Sequence, residues 1–137
     1  MSQWVGMART NYVDVEDIKG LRKSLKRFGV ELERGQEEQK NKWAMFGLED
    51  GWPSIYDEEK EENIFFSFKE HVMPYVKEGE VLIAMEAGYS RSQYVTGVAV
   101  AYQRQKAKVS EIRISLTDIY TRAKRKFKVK AISEAMY

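Results

Sequence analysis

The stretch that decides the fold runs from Glu80 to Tyr102 and reads EVLIAMEAGYSRSQYVTGVAVAY. Two apolar runs flank a polar loop from Gly88 to Gln93, a pattern that predicts a β-hairpin at the centre of the core. After the opening Glu80, the stretch contains one carboxylate, Glu86, and no histidine, cysteine or glycine-rich phosphate loop. It therefore indicates structure and no particular chemistry.

The pairing of this hairpin predicts two different faces. If Ala87 lies opposite Tyr94, one face carries bulky side chains and the other carries mostly small ones. The bulky residues are Val81, Ile83, Met85, Val98 and Val100. Small side chains let another layer approach closely, so we expect a helix against the small face. The bulky face is then either covered by residues 49–66 or left as an interaction site.

The rest of the chain predicts an α+β fold in one domain over residues 1–137. Apolar periodicity predicts a mainly antiparallel sheet of about five to six strands with two to three helices, in the order β-α-β-β-α-β-β-β-α. A helix should open at Asp14 and end at Gly29, and a short one should be capped by Ser67 and Glu70. Residues 49–63 are predicted to be an irregular connection.

The last helix should follow a cap made by Ser115 and Asp118. Its apolar stripe is predicted to be buried. The members of that stripe are Leu116, Ile119, Tyr120, Ala123 and Phe127.

Composition limits the function classes. The 137 residues are 43% hydrophobic and 32% charged, as in globular chains. The absence of cysteine excludes disulfides and thiolate metal sites. No apolar run approaches the roughly 20 residues that span a bilayer, and no secretion signal opens the chain, so we expect no membrane contact and a cytoplasmic location in a host cell.

Charge is distributed unevenly along the chain. Residues 57–80 carry eight acidic and three basic residues, whereas residues 81–137 carry four acidic and eleven basic ones. Such a dipolar chain can steer toward a charged partner, although an acidic loop and a solvated helix face give the same pattern.

Catalytic patterns are weak. His71 is the single histidine and has no serine or cysteine partner in the sequence. An enzyme would need Asp50, Glu70 and Glu86 to meet in the fold. The acidic run lacks the alternating ligands and glycine turn of a cation loop. We therefore predict no enzyme activity, no cofactor and no metal site.

Two surfaces are candidates for binding. A partner protein would contact the aromatic and acidic loop together with the tip of the central hairpin. These residues are Trp52, Tyr56, Asp57, Glu58, Glu59, Glu61, Glu62, Arg91 and Tyr94. The alternative is a nucleic acid held by bases of the C-terminal half. Those residues are Arg104, Lys106, Lys108, Arg122, Lys124, Arg125 and Lys126.

Short strings within residues 47–127 carry a resemblance. GWPS, GEV, MEAG, YVTGVAVAY and SLTDIY resemble small uncharacterised α+β proteins carried by phages and plasmids. The resemblance implies a non-enzymatic protein that occludes a host protein or nucleoprotein complex stoichiometrically, with anti-defence roles such as CRISPR inhibition among the expected functions. The basic C-terminal half differs from the acidic inhibitors that mimic DNA. The oligomeric state stays open.

Overall fold

A computed structural model describes residues 4–47, 51–90 and 95–135, and they adopt an α+β fold, as the sequence predicts. The strands are β1 (Trp4–Thr10), β2 (Glu31–Arg34), β3 (Trp43–Phe46), β4 (Ser54–Asp57), β5 (Glu62–Phe65), β6 (Val81–Ser90), β7 (Val95–Gln105) and β8 (Lys108–Ser115). The helices are α1 (Ile18–Phe28), α2 (Phe68–His71) and α3 (Asp118–Phe127), with short 3-10 turns at Glu37–Gln39 and Met73–Tyr75.

Six strands form one antiparallel sheet in the order β2-β3-β1-β6-β7-β8, and β4 and β5 form a separate hairpin. Between β1 and β3 the ladder is interrupted, and Thr10 bridges the gap. The Thr10 hydroxyl accepts the Met45 backbone N–H at 2.9 Å and donates to the Asn11 carbonyl at 2.8 Å. The buried Thr10 side chain thus replaces a backbone hydrogen bond that is missing between β1 and β3.

Helix α1 begins one turn later than the sequence predicts. Asp17 caps it by accepting the Gly20 N–H at 2.9 Å, whereas Asp14 lies outside the helix. The backbone N–H groups of Glu16 and Asp17 donate to the Tyr75 carbonyl, so tertiary contacts select the start. Gly29 closes the helix in the left-handed conformation at φ 73°, as predicted.

The cap of α2 is only half as predicted. The Ser67 hydroxyl accepts the Glu70 N–H at 3.3 Å, but the Ser67 N–H donates to His71 Nδ1 at 2.9 Å instead of to the Glu70 carboxylate. The His71 ring also contacts Phe28 and Phe66. His71 is therefore part of the fold, and α2 ends there, ahead of Pro74.

The core lies on one side of the large sheet. Leu82 and Ala84 of β6 are buried beneath α1, α2 and the turn that follows α2. Ile55 and Ile64 of the β4–β5 hairpin pack at the edge of the same core. The predicted irregular connection is thus a hairpin, and its acidic run forms the turn. There Asp57 Oδ1 accepts the N–H groups of Glu59 and Lys60.

The register of the central hairpin differs from the prediction by three residues. Ala87 lies opposite Gly97, Met85 opposite Ala99 and Ile83 opposite Ala101. Because the shift is odd, it exchanges the two faces of β7 relative to β6. The bulky residues of β6 therefore share a face with the small residues of β7, and Val98 and Val100 face the core side.

Candidate protein-binding face

One face of the six-stranded sheet has no covering layer over β1, β6, β7 and β8 in the described ranges. Helices α1 and α2 and residues 51–66 all pack on the opposite side. We call the uncovered side the open face. Its central residues are Val5, Met7, Val81, Ile83, Met85, Ala87, Tyr89, Val95, Gly97, Ala99, Ala101, Ile112, Ile114 and Leu116.

Large apolar side chains of the open face are exposed well beyond the level of a protein core. Met7 is 82% exposed, Ile112 70% and Met85 54%. The large apolar side chains together expose on the order of 1,000 Å², which exceeds the largest apolar patch of a typical monomer and is comparable with the roughly 800 Å² that each partner contributes to a standard interface. Such a surface is typical of a protein that binds another protein.

A shallow trough runs along β7 in the middle of this face. Its floor consists of Gly97, Ala99 and Ala101, and its walls are the bulky side chains of β6 and β8, such as Met85 and Ile114. The walls stand two strand spacings apart, about 10 Å, which is close to the diameter of an α-helix with its side chains. Because the wall side chains occupy part of this backbone spacing, the trough has room for one row of side chains from a helix laid over it.

The trough carries no charge. The open-face positions of β6, of β7 as far as Ala101, and of β8 from Ile112 are all uncharged. Glu111 and Arg113 alternate with the apolar residues of β8 and point to the other face. An occupant of the trough must therefore be apolar on its contacting side, because a charged group there would lose hydration without a partner.

Helix α3 lies at one end of the open face, and none of its residues is buried. The predicted burial of the stripe is wrong: Ile119 is 61% exposed, Phe127 69% and Leu116 53%, and Tyr120 and Ala123 are only partly buried. The chain after α3 turns back, and the Ala135 N–H donates to the Tyr120 hydroxyl at 2.7 Å. A groove of about 840 Å³ between α3, this returning segment and the start of β7 continues the open face.

Most of the predicted partner-binding loop is either structural or solvated. Trp52 packs against the core, and its ring meets Phe68 edge-on at 4.7 Å. Tyr56 is 60% exposed, and Asp57 pairs with Arg27 at 3.9 Å. The acidic turn residues Glu58, Glu59, Glu61 and Glu62 are exposed. Arg91 and Tyr94 lie outside the described residues.

The predicted nucleic-acid surface divides into two parts. Arg104 is occupied within the fold: it donates to the Val76 carbonyl at 2.7 Å and pairs with Glu16 at 3.2 Å. Lys106 and Lys108 are exposed near the β7–β8 turn. On α3 the basic residues are exposed and pair with no described acid; they are Arg122, Lys124, Arg125 and Lys126.

The carboxylates considered for catalysis do not form a site among the described residues. Glu86 accepts the Trp52 backbone N–H at 2.8 Å, Glu70 is exposed on α2, and Asp50 lies outside the described ranges. Glu86 and Arg113 border a cleft of about 340 Å³ on the core side, next to Tyr102. Burial, with the Glu111 carboxylate adding to it, raises the pKa of Tyr102. No group of metal-ligating side chains occurs in the described part.

The sequence reasoning missed the residues that form the outer part of the open face. The sequence patterns do not single out Met7, Ile112 or Ile114. A signal was available: the β6–β7 hairpin is apolar on both faces, but the remaining predicted helices are too few to cover both.

Comparison of the chain with protein-family models, with curated proteins and with solved structures finds no match. The resemblance to phage and plasmid proteins therefore stays a prediction. In the described residues, no helix combines the length and apolar character required to cross a bilayer.

Proposed function

We propose that this protein is a non-enzymatic binding module that docks an amphipathic α-helix of a partner protein in the trough of its open face. The observation that carries the proposal is the exposure of nine large apolar side chains on this face, from 37% at Val5 to 82% at Met7. Their burial by a partner is favourable at about 25 cal/mol per Å² of apolar surface.

The shape of the trough favours a helix over a strand or a loop. A floor of glycine and alanine between two apolar walls accepts one ridge of side chains from a helix that lies along β7. Sheet edges would recruit strands through backbone hydrogen bonds, whereas this surface presents side chains. Stoichiometric occlusion of a protein partner is consistent with this mode of binding.

The test uses a fluorescent synthetic peptide of leucine and lysine, about four helical turns long, with one apolar stripe. Its anisotropy should rise on addition of the dilute protein. A peptide of the same composition in scrambled order, without the stripe, should not bind. Ala99→Arg places a charge on the trough floor and should weaken binding about tenfold or more. Gln105→Arg, at the end of the same strand and beyond the trough, is the matched control.

Two outcomes would refute the proposal. One is the absence of any preference for the striped peptide over the scrambled one. The other is equal binding by Ala99→Arg and Gln105→Arg, with circular dichroism showing both variants to be folded.

A second candidate function is nucleic-acid binding by α3. The supporting observation is the row of exposed bases on α3 that pair with no described acid. The logarithm of affinity should then fall linearly with the logarithm of salt concentration, and Lys124→Glu with Arg125→Glu should weaken binding across sequences. A low-salt gel shift with double-stranded and single-stranded DNA and RNA that shows no complex would exclude it.

A further inference from the structure

Helix α3 and the trough are two apolar surfaces of the same chain, and neither covers the other. The stripe of α3 includes Ile119 at 61% and Phe127 at 69% exposure, and Val129 just beyond the helix is 44% exposed. The trough requires an uncharged, apolar helix face. We propose that the helix that occupies the trough is α3 of a second copy of this chain, so that two copies form a symmetric dimer. This inference rests on the proposed function, because it names the helix that the trough binds.

The chemistry of α3 fits this role. Its apolar residues recur at helical spacing from Ile119 through Ala123 to Phe127, and they are uncharged, as the trough requires. Arg125 lies on the opposite side of the helix and would remain in solvent, whereas Lys124 lines the groove at the margin of the stripe. Docking would therefore bury the stripe while the long Lys124 side chain keeps its ammonium group in water at the edge of the interface.

The size of the two surfaces fits a dimer. The open face exposes on the order of 1,000 Å² of large apolar side chains, close to the 800 Å² or so that each partner contributes to a standard interface. A twofold axis makes the same pair of contacts twice, so each copy gives one helix and receives one. If only one helix docked, one trough and one stripe would stay exposed. When each copy docks its helix in the other, both troughs and both stripes are covered.

The position of α3 allows the exchange. Leu116, which packs on the trough floor at Gly97, is separated from the start of α3 by Thr117 alone. The groove between α3 and the start of β7 shares Val95 and Leu116 with the open face. The stripe and the trough therefore form one continuous apolar surface, which two face-to-face copies can bury together.

The experiment is sedimentation equilibrium of the full chain over a range of concentrations. The wild type should be a dimer, and Ile119→Lys with Phe127→Lys should weaken dimerisation about tenfold or more. Both positions lie outside the core, so this variant should stay folded. Arg122→Lys with Lys126→Arg, on the same helix, is the matched control and should dimerise as the wild type does.

The helix variant retains an intact trough, which separates this inference from the proposed function. It should still bind the leucine–lysine peptide and a peptide of residues 116–130. A wild type that is monomeric at all concentrations, or a dimer that Ile119→Lys with Phe127→Lys leaves unchanged, would overturn the dimer. If either result were found and the leucine–lysine peptide still bound the trough, the proposed helix-binding function would stand although the dimer would not.

Discussion

Leu116 lies directly on Gly97: a Cβ atom built on Gly97 would come within 3.0 Å of Leu116 Cγ and 3.1 Å of Cδ1. The Leu116 N–H also donates to the Gly97 carbonyl at 2.9 Å. This contact explains why a glycine stands in the middle of a long strand, since any side chain would compete with Leu116 for the same space. It also makes the floor of the trough sensitive to a single methyl group.

The first prediction concerns this contact. Gly97→Val should displace Leu116 and fill the trough floor, so that binding of the leucine–lysine peptide falls about tenfold. Stability should change by no more than about 1 kcal/mol, because Leu116 is 53% exposed and can turn outward, and valine favours strands. Peptide anisotropy and urea unfolding measure the two effects.

A double-mutant cycle provides the control. Leu116→Ala removes the atoms that clash, so the combined variant should be more stable than the sum of the two single changes predicts. Strict additivity would show that Gly97 and Leu116 do not share space in solution.

The register of the central hairpin could not be read from its own two strands. The run from Tyr94 to Tyr102 is apolar at both odd and even positions, so a slip costs little within the hairpin. The neighbouring strand β8 supplies the missing restraint. Its charged residues Glu111 and Arg113 lie opposite Tyr102 and Val100, so the apolar residues of β8 share the other face with Gly97, Ala99 and Ala101.

The fold class was predictable because stripes and caps are local signals, and the Gly29 cap formed where the pattern places it. The sequence does not predict which face of the sheet is covered, because that depends on the face against which each helix packs after its preceding strand. The apolar stripe of α3 predicts that the helix is buried. It does not indicate whether the covering surface belongs to the same chain or to another.

The second prediction concerns the bond that holds residues 51–66 to the sheet. Glu86 Oε2 accepts the Trp52 backbone N–H at 2.8 Å. Glu86→Ala should lower the free energy of unfolding by about 1–3 kcal/mol, since the N–H of Trp52 then loses its partner. Glu86→Gln keeps an acceptor and should lose less. Urea unfolding measures both, and a Glu86→Ala protein as stable as the wild type would contradict the assignment.

The third prediction reverses a general rule. In an exposed helix, changing glycine to alanine stabilises by about 1 kcal/mol. At Gly20 a Cβ would lie 2.6 Å from Tyr75 Cε1 and 2.5 Å from Asp17 Oδ2. The Tyr75 backbone is held in place by the N–H groups of Glu16 and Asp17, so the ring can move away only by changing its side-chain torsions. Gly20→Ala should therefore destabilise the protein by about 1–3 kcal/mol.

Thermal and urea unfolding of Gly20→Ala test this expectation. Lys23→Ala, at an exposed position of the same helix, is the matched control and should be close to neutral. A gain in stability for Gly20→Ala would show that Tyr75 does not pack over α1 as described.

The last prediction is a pH dependence. Burial raises the pKa of Tyr102, and the carboxylate of Glu111 adds to the effect while Arg113 opposes it. The folded state thus favours the neutral phenol. The sign follows from linkage: this contribution is fully present below the unfolded pKa of about 10 and is lost as pH rises through the higher folded value. Stability should therefore decline in alkaline solution more steeply for the wild type than for Tyr102→Phe.

Urea unfolding at a series of alkaline pH values measures the decline, and the difference between the two proteins isolates Tyr102 because the other titrating groups are common to both. Glu111→Gln should make the alkaline decline in stability somewhat less steep, since it removes the charge of the Glu111 carboxylate but leaves the burial of Tyr102 unchanged. Equal slopes for the wild type and Tyr102→Phe would mean that the phenol is hydrated in the folded state. The cleft beside Glu86 would then be open to water at its Tyr102 wall.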